Sequence, residues 1–188
     1  MNTLWVSLRM LLALTLLTGV AYPLSLTGLA QLFLPGKANG SVIEHAGGLV
    51  GSDLVGQNFT SDRYFWPRPS AVDYSPLPSG GSNLGPTSRA LLNKIAERRA
   101  RLVSAGNPVE VPPDLLLASG SGLDPHISPE AAFYQIDRVQ RARGVPESWR
   151  PELAALVRSR TEGPQWGLFG EPRVNVLRLN LALDSLLP

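Results

Sequence analysis

Residues 10–34, MLLALTLLTGVAYPLSLTGLAQLFL, decide how the rest of the chain is read. They contain no Asp, Glu, Lys, Arg or His, and Arg9 and Lys37 bound them on either side. As an α-helix rising about 1.5 Å per residue, the stretch reaches roughly 37 Å, more than a bilayer hydrocarbon core of about 30 Å. One tilted helix therefore crosses a membrane with every backbone N–H and C=O bonded inside itself. Everything after it must lie on one side.

Two readings of this stretch stand side by side. In one it is a permanent anchor. In the other it is a cleaved signal peptide, with Arg9 as the basic region, residues 10–17 as the apolar core and Gly19-Val20-Ala21 as the cleavage site. Apolar character continues past Ala21 through Leu24, Leu26, Leu29, Leu32, Phe33 and Leu34, which favours the anchor. Thr15 with Gly19, and Ala21 with Ser25, are small residues four apart, a spacing that admits a close second helix. Pro23 removes one backbone bond and predicts a kink. Arg9 and the terminal amine outweigh Lys37, so the positive-inside bias favours a cytoplasmic N-terminus. The expected organisation is a short cytoplasmic tail over 1–9, a transmembrane helix over 10–34 and an extracytoplasmic domain over 35–188.

Composition narrows the chemistry. The 188 residues include no cysteine, so disulfides, thiolate nucleophiles and cysteine-ligated metals are excluded. The net charge is +2 and aromatics make up 7%. Nucleic-acid binding asks for clustered Lys/Arg with stacking aromatics, which so small a charge and so few aromatics do not favour. His45 and His126 are the only histidines, which excludes a histidine-rich metal site. The 18 glycines and 17 prolines concentrate between Pro35 and Pro86.

The pattern after the span predicts a mixed α/β (α+β) domain with short strands and about four helices. Residues 41–55 read as short strands joined by tight turns. Residues 58–88 crowd Phe59, Tyr64, Phe65, Trp66 and Tyr74 among prolines and serines. Such a segment either pins itself onto its domain or offers a partner surface at Tyr64, Phe65, Trp66 and Arg68. Ser79-Gly80-Gly81-Ser82-Asn83 is either a plain glycine turn or a backbone nest for an anion. A helix is expected from about residue 89 to 104, capped by Thr87 or Ser88, with Leu91, Leu92, Ile95 and Leu102 on its apolar stripe. Its basic face (Arg89, Lys94, Arg98, Arg101) is either solvated or set against lipid headgroups or an acidic partner. Residues 107–113 read as a proline-marked linker and 114–119 as a short buried strand. Ser128-Pro129-Glu130 carries the cap, N1 proline and first-turn acid of a helix to about Arg143, ended by Gly144. Another helix begins near Pro146. A loop over 163–172 holds Trp166 and Phe169. Asn175 caps a last, largely buried helix.

No single segment carries a complete catalytic motif. Gly51-Ser52-Asp53-Leu54-Val55-Gly56 is followed by Gln57-Asn58, where a P-loop needs Lys then Ser/Thr. Neither Ser119 nor Ser121 lies in a nucleophile elbow, and Asp124 and His126 are too close in sequence to be assumed to face each other.

Together these segments carry a resemblance that none carries alone. Gly56-Gln57-Asn58-Phe59, Tyr64-Phe65 with Arg68-Pro69-Ser70-Ala71, Ser79-Gly80-Gly81-Ser82-Asn83-Leu84, the run 118–124 (ASGSGLD), and the run 170–176 (GEPRVNV) with 179–184 (LNLALD) occur in one order. In that order the chain resembles the C-subunit family (KdpC) of the Kdp potassium-transporting ATPase, over essentially its whole length. The resemblance implies a non-catalytic accessory subunit of a high-affinity, ATP-driven potassium importer in a bacterial plasma membrane. It implies a channel-like A subunit, a P-type B subunit that hydrolyses ATP, and a small F subunit as partners, with the C subunit assisting ATP binding by the B subunit. It makes Ser79, Gly80, Gly81, Ser82 and Asn83 a candidate nucleotide-related loop, with ATP reaching the complex through the catalytic partner. Packing on the ion-entry side of the A subunit would run through residues 64–74 or the basic helix. A secreted binding protein or hydrolase, released by cleavage, is the alternative.

Overall fold

The computed structural model describes residues 2–45, 47–105 and 110–187. The chain divides into two compact units, 1–50 and 51–188.

The first unit is dominated by one continuous helical rod, Asn2–Phe33, fully unburied along its apolar length. It consists of α1 (Asn2–Leu14), a π-helical stretch (Thr15–Ala21) and α2 (Tyr22–Phe33). The helix begins at Asn2 rather than Met10, so the expected tail is helical from Asn2 onward. Residues 3–8 are uncharged and mostly apolar, and Arg9 lays its guanidinium over the Trp5 ring, 5.7 Å from the centroid. The break expected from Pro23 takes the form of the π-helical stretch. Proline has no N–H for the carbonyl of Gly19, and its ring crowds that carbonyl. Pro23 sits in the first turn of α2, where no N–H is required, and the preceding Tyr22 N–H reaches back five residues to Leu17 O. A widened turn relieves the clash between the proline ring and the preceding carbonyl. Thr18 and Thr27 donate their hydroxyls to Leu14 O (2.7 Å) and Pro23 O (2.8 Å), so both are satisfied within the rod. A short helix α3 (Pro35–Ala38) follows. Next come β1 (Val42–His45) and β2 (Gly48–Ser52), which pair as a two-stranded sheet. The short strands expected over 41–55 are these two.

The second unit is α+β. Its helices are α4 (Arg89–Ser104), the single turn α5 (Pro113–Leu116), α6 (Pro129–Arg143), α7 (Arg150–Ser159) and α8 (Val176–Leu186). Four of these exceed two turns, as the pattern predicts. Its sheet has the order β3 (His126–Ile127), β5 (Arg173–Asn175), β4 (Thr161–Glu162), antiparallel throughout. Val174 is its centre, opposite Ile127 on one side and Thr161 on the other, and it is completely buried. Helix α6 packs on α7 and α7 on α8. The core between them is Ile127, Ile136, Val139, Leu153, Val157, Leu179 and Leu183.

The caps of α6 and α8 are as the sequence predicts, whereas Ser88 stands at the N-cap position of α4 without a side-chain cap bond. Ser128 Oγ accepts from Ala131 N–H, Gly144 ends α6 at φ +69°, and Asn175 Oδ1 accepts from Arg178 N–H. Two expectations are corrected. Residues 114–119 begin as the helical turn α5 rather than a strand. A short apolar run does not distinguish the two, and Pro113 at the first helical position with Asp114 behind it starts a helix. In α4, Leu92 is exposed, because the helix packs through Ile95, Arg98 and Leu102 and leaves Leu92 beside that stripe. The linker expected at 107–113 falls outside the described residues over 107–109.

Candidate functional site

The segment 58–74 contains no helix or strand, yet its backbone is buried in places, so its polar groups need partners from elsewhere. Amide side chains supply them. Phe65 N–H donates to Asn180 Oδ1 (2.8 Å), and Asn180 Nδ2 donates back to Phe65 O (3.0 Å). Trp66 N–H donates to Gln135 Oε1 (2.7 Å), and Gln135 Nε2 donates to Trp66 O (3.1 Å). Each amide thus imitates a neighbouring β-strand. Arg138 continues the pattern, donating to Asp62 O (2.7 Å) and Tyr64 O (2.9 Å). Its guanidinium lies 3.9 Å from the Trp66 ring centroid, and that of Arg101 lies 4.1 Å from it. Burial pushes the Arg138 guanidinium down to about 10, against the opposing pull of Asp62.

Of the residues expected to form a partner surface, Phe65 and Trp66 are turned into their own domain. Phe65 is 0% and Trp66 8% exposed. Tyr64 is half-buried and donates its hydroxyl to Asp184 (3.1 Å). Arg68 is half-buried and paired with Asp124 at 3.0 Å. The aromatic segment is pinned into its own domain, the other of the two readings it allowed. Of the residues that pin it, Gln135 and Arg138 drew no attention in the sequence, and Asn180 did so only as part of the 179–184 run. Their one signal was a polar side chain on the inward face of an apolar helix.

The two serine-glycine runs come together. Gly80 N–H donates to Ser121 O (2.9 Å), and Gly122 N–H donates to Ser119 O (3.3 Å). Gly122 has φ +70°, and a Cβ there would stand 2.8 Å from Gly80 O and 2.5 Å from Val72. A Cβ on Gly81 would stand 3.1 Å from Gly120 O. The glycines are therefore matched to a close backbone approach. Of the candidate nucleotide-related residues, Gly80 spends its N–H on this contact. Ser79 and Asn83 are exposed, Gly81 and Ser82 half-buried, and Asn83 adopts φ +51°.

Below this loop pair lies an ionic group. Arg68 Nη1 reaches Asp124 Oδ2, while Asp124 Oδ1 accepts from His126 N–H (3.0 Å) and lies 3.4 Å from its Nδ1. Asp124 and His126 thus do face each other. Burial pushes the Asp124 carboxyl up, but the hydrogen bonds of His126 and the charge of Arg68 outweigh it and hold it below its ordinary value. Ser121 is engaged in its own turn, its Oγ accepting from Leu123 N–H (3.1 Å).

A cleft of about 230 Å³ opens beside the aromatic segment, with Asn58, Phe59, Asp73, Tyr74, Arg98 and Arg101 on its walls. Asn58 donates to Asp73 (3.1 Å), Tyr74 to Arg68 O (2.6 Å), and Arg98 to Leu116 O (2.6 Å). Burial, then the Asp73 charge, push the Tyr74 hydroxyl up to about 12. Burial lowers Arg98. The basic face of α4 is thus divided, with Arg98 and Arg101 turned to this cleft.

These parts define a class: a small α+β domain carried behind one membrane-length apolar helix. Residues 4–185 match the family model described as KdpC, K+-transporting ATPase, c chain, and the chain belongs to that family. It is 55% identical over 185 residues to a potassium-transporting ATPase KdpC subunit of Methylococcus capsulatus, covering 96% of each chain. It is 53% identical over 192 residues to that of Polaromonas naphthalenivorans, covering 100% of this chain and 96% of the relative. The subunit of Geobacter sulfurreducens is 50% identical over 192 residues, with both chains covered completely. The motif order read from the sequence led to the same family.

Proposed function

We propose that the chain is an accessory subunit that stabilises an ATP-driven potassium importer and assists ATP binding by its catalytic P-type subunit. The observation that supports this is the family match over residues 4–185. The channel-like A, P-type B and small F subunits are its partners on this reading. The N-terminus is cytoplasmic and the domain extracytoplasmic, on the charge bias at the span ends. ATP is absent outside the cell, so the domain's influence on the nucleotide passes through the partner subunits. The loop geometry agrees with an indirect role, since Gly80 spends its N–H on Ser121 O.

The test is a mild-detergent pull-down of the C-terminally tagged chain from membranes of its host grown in low potassium. Co-purification of a large P-type subunit and a polytopic partner is expected, together with a lower apparent ATP affinity when the chain is omitted. A soluble chain beginning at Tyr22 and purifying alone would overturn the reading. Sidedness is read from Ser148→Cys, an exposed position. Labelling by an impermeant maleimide on intact spheroplasts is expected, and protection until lysis would reverse the orientation.

A further inference from the structure

One surface feature has no use in the domain that carries it. Between β4 and β5 the chain makes a tight turn whose side chains point outward. Trp166 is 89% exposed, Leu168 81% and Phe169 61%. Trp166 and Phe169 meet edge to face with centroids 6.0 Å apart, so the tip is one contiguous apolar knob rather than scattered residues. Residues 163–170, GPQWGLFG, carry no charge.

The backbone of the knob is partly closed on itself. Gln165 N–H donates to Phe169 O (2.8 Å), Phe169 and Leu168 N–H donate to Gln165 O (3.0 and 3.1 Å), and Gly167 N–H donates to Pro164 O (3.0 Å). Gly167 and Gly170 adopt φ +74° and +85° to close the turn. Such a tip enters a non-aqueous medium without orphaning these backbone groups.

The charges at its base are mixed, with a positive balance. Arg173 pairs with Glu162 at 3.1 Å. Glu171 is exposed. Arg158 and Arg160, at the end of α7 and just before β4, are exposed and hold no ion pair among the described residues. An apolar tip rich in tryptophan and phenylalanine, set beside free arginines, is the chemistry of the bilayer interface. Aromatic rings settle at headgroup depth, and arginines meet lipid phosphates. The domain is also tied covalently to a membrane-length helix, which keeps its effective concentration at a bilayer surface high.

We propose that the 163–170 tip docks into the headgroup–acyl boundary of the bilayer that holds the helix, as a second, reversible membrane contact. This needs nothing from the potassium-transport reading.

The cysteine-free sequence makes the test direct. Leu168→Cys carries a single environment-sensitive fluorophore on the full chain, reconstituted in nanodiscs of phosphatidylethanolamine and phosphatidylglycerol. The position is exposed, so labelling leaves the fold intact. The same label on Ser148→Cys is the water-facing control. The expected result is blue-shifted emission that headgroup-proximal nitroxide lipids quench strongly and iodide does not. Iodide quenching equal to the control would overturn the proposal. So would shielding from both quenchers, which would place protein over the tip. Diluting phosphatidylglycerol is expected to weaken lipid quenching of the parent; Arg158→Gln with Arg160→Gln is expected to weaken it already at high phosphatidylglycerol and to remove that dependence, and an unchanged response would remove the arginines from the contact.

Discussion

Asn180 closes both backbone groups of Phe65 with one side chain, accepting from its N–H at 2.8 Å and donating to its C=O at 3.0 Å. The two residues lie 115 positions apart, and the contact is buried. It fastens an irregular segment to the last helix in the way a strand partner would.

Asn180→Leu removes both bonds and leaves a buried N–H and a buried C=O unpaired. The expected loss is about 2–6 kcal/mol, taking each orphaned group at about 1–3 kcal/mol. Urea unfolding of the full chain in detergent micelles, followed by near-ultraviolet circular dichroism, measures it. A midpoint unchanged from the parent would contradict the clamp.

Arg138→Lys keeps the charge but loses the planar fork that reaches Asp62 O, Tyr64 O and the Trp66 face together. Arginine and lysine are not equivalent at such a site. A loss of about 1.5–3 kcal/mol is expected, the range for hydrogen bonds to a charged group. Arg101→Lys, exposed and over the same ring, is expected to cost less than 1 kcal/mol, on the order of an exposed cation–π contact.

Glycine substitutions separate packing from flexibility. Gly122→Ala must place a Cβ at φ +70° within 2.8 Å of Gly80 O, and a loss of about 1–3 kcal/mol is expected from strain alone. Gly120→Ala meets nothing within 4 Å and should lie within about 0.5 kcal/mol of the parent. Equal melting temperatures for the two variants would show that the loops do not touch in solution.

Two groups give stability a pH dependence of opposite sense. Asp124 is depressed in the fold from 3.8. Its contribution is present above that value and lost as pH falls through the lower folded value. Asp124→Asn should therefore flatten the acid limb of the stability profile. Tyr74 is raised from 10.0 to about 12. Its contribution is present below 10.0 and lost as pH rises toward 12, so Tyr74→Phe should flatten the alkaline limb. Thermal melts across both limits decide each case.

Much of this architecture was written in local pattern. The membrane-length run, the Ser128 and Asn175 caps, the Gly144 stop and the stripe of α8 each follow from near neighbours, and the structure has them. What escaped depends on pairs far apart in sequence. Whether Trp66 was pinned or offered to a partner stayed open in the sequence, because nothing near it reveals that Gln135 and Arg138 hold it from α6. The meeting of Gly80 with Ser121 was equally hidden, although both runs stood out for their glycines. The turn at α5 was misread because three leucines in a row suit a strand as well as a helix. The family was legible for a different reason: it rests on the order of many short motifs rather than on any one contact.

The π-helical stretch Thr15–Ala21 sets a rule for whatever lies beside the rod. One residue inserted into an α-helical phase turns the following face by about 100°. Leucines before the stretch and leucines after it therefore point along different azimuths. A straight neighbour running the full length of the rod meets one stripe along α1 and another along α2. A single helix thus offers two docking directions, and substitutions in α1 and α2 are expected to affect different neighbours independently.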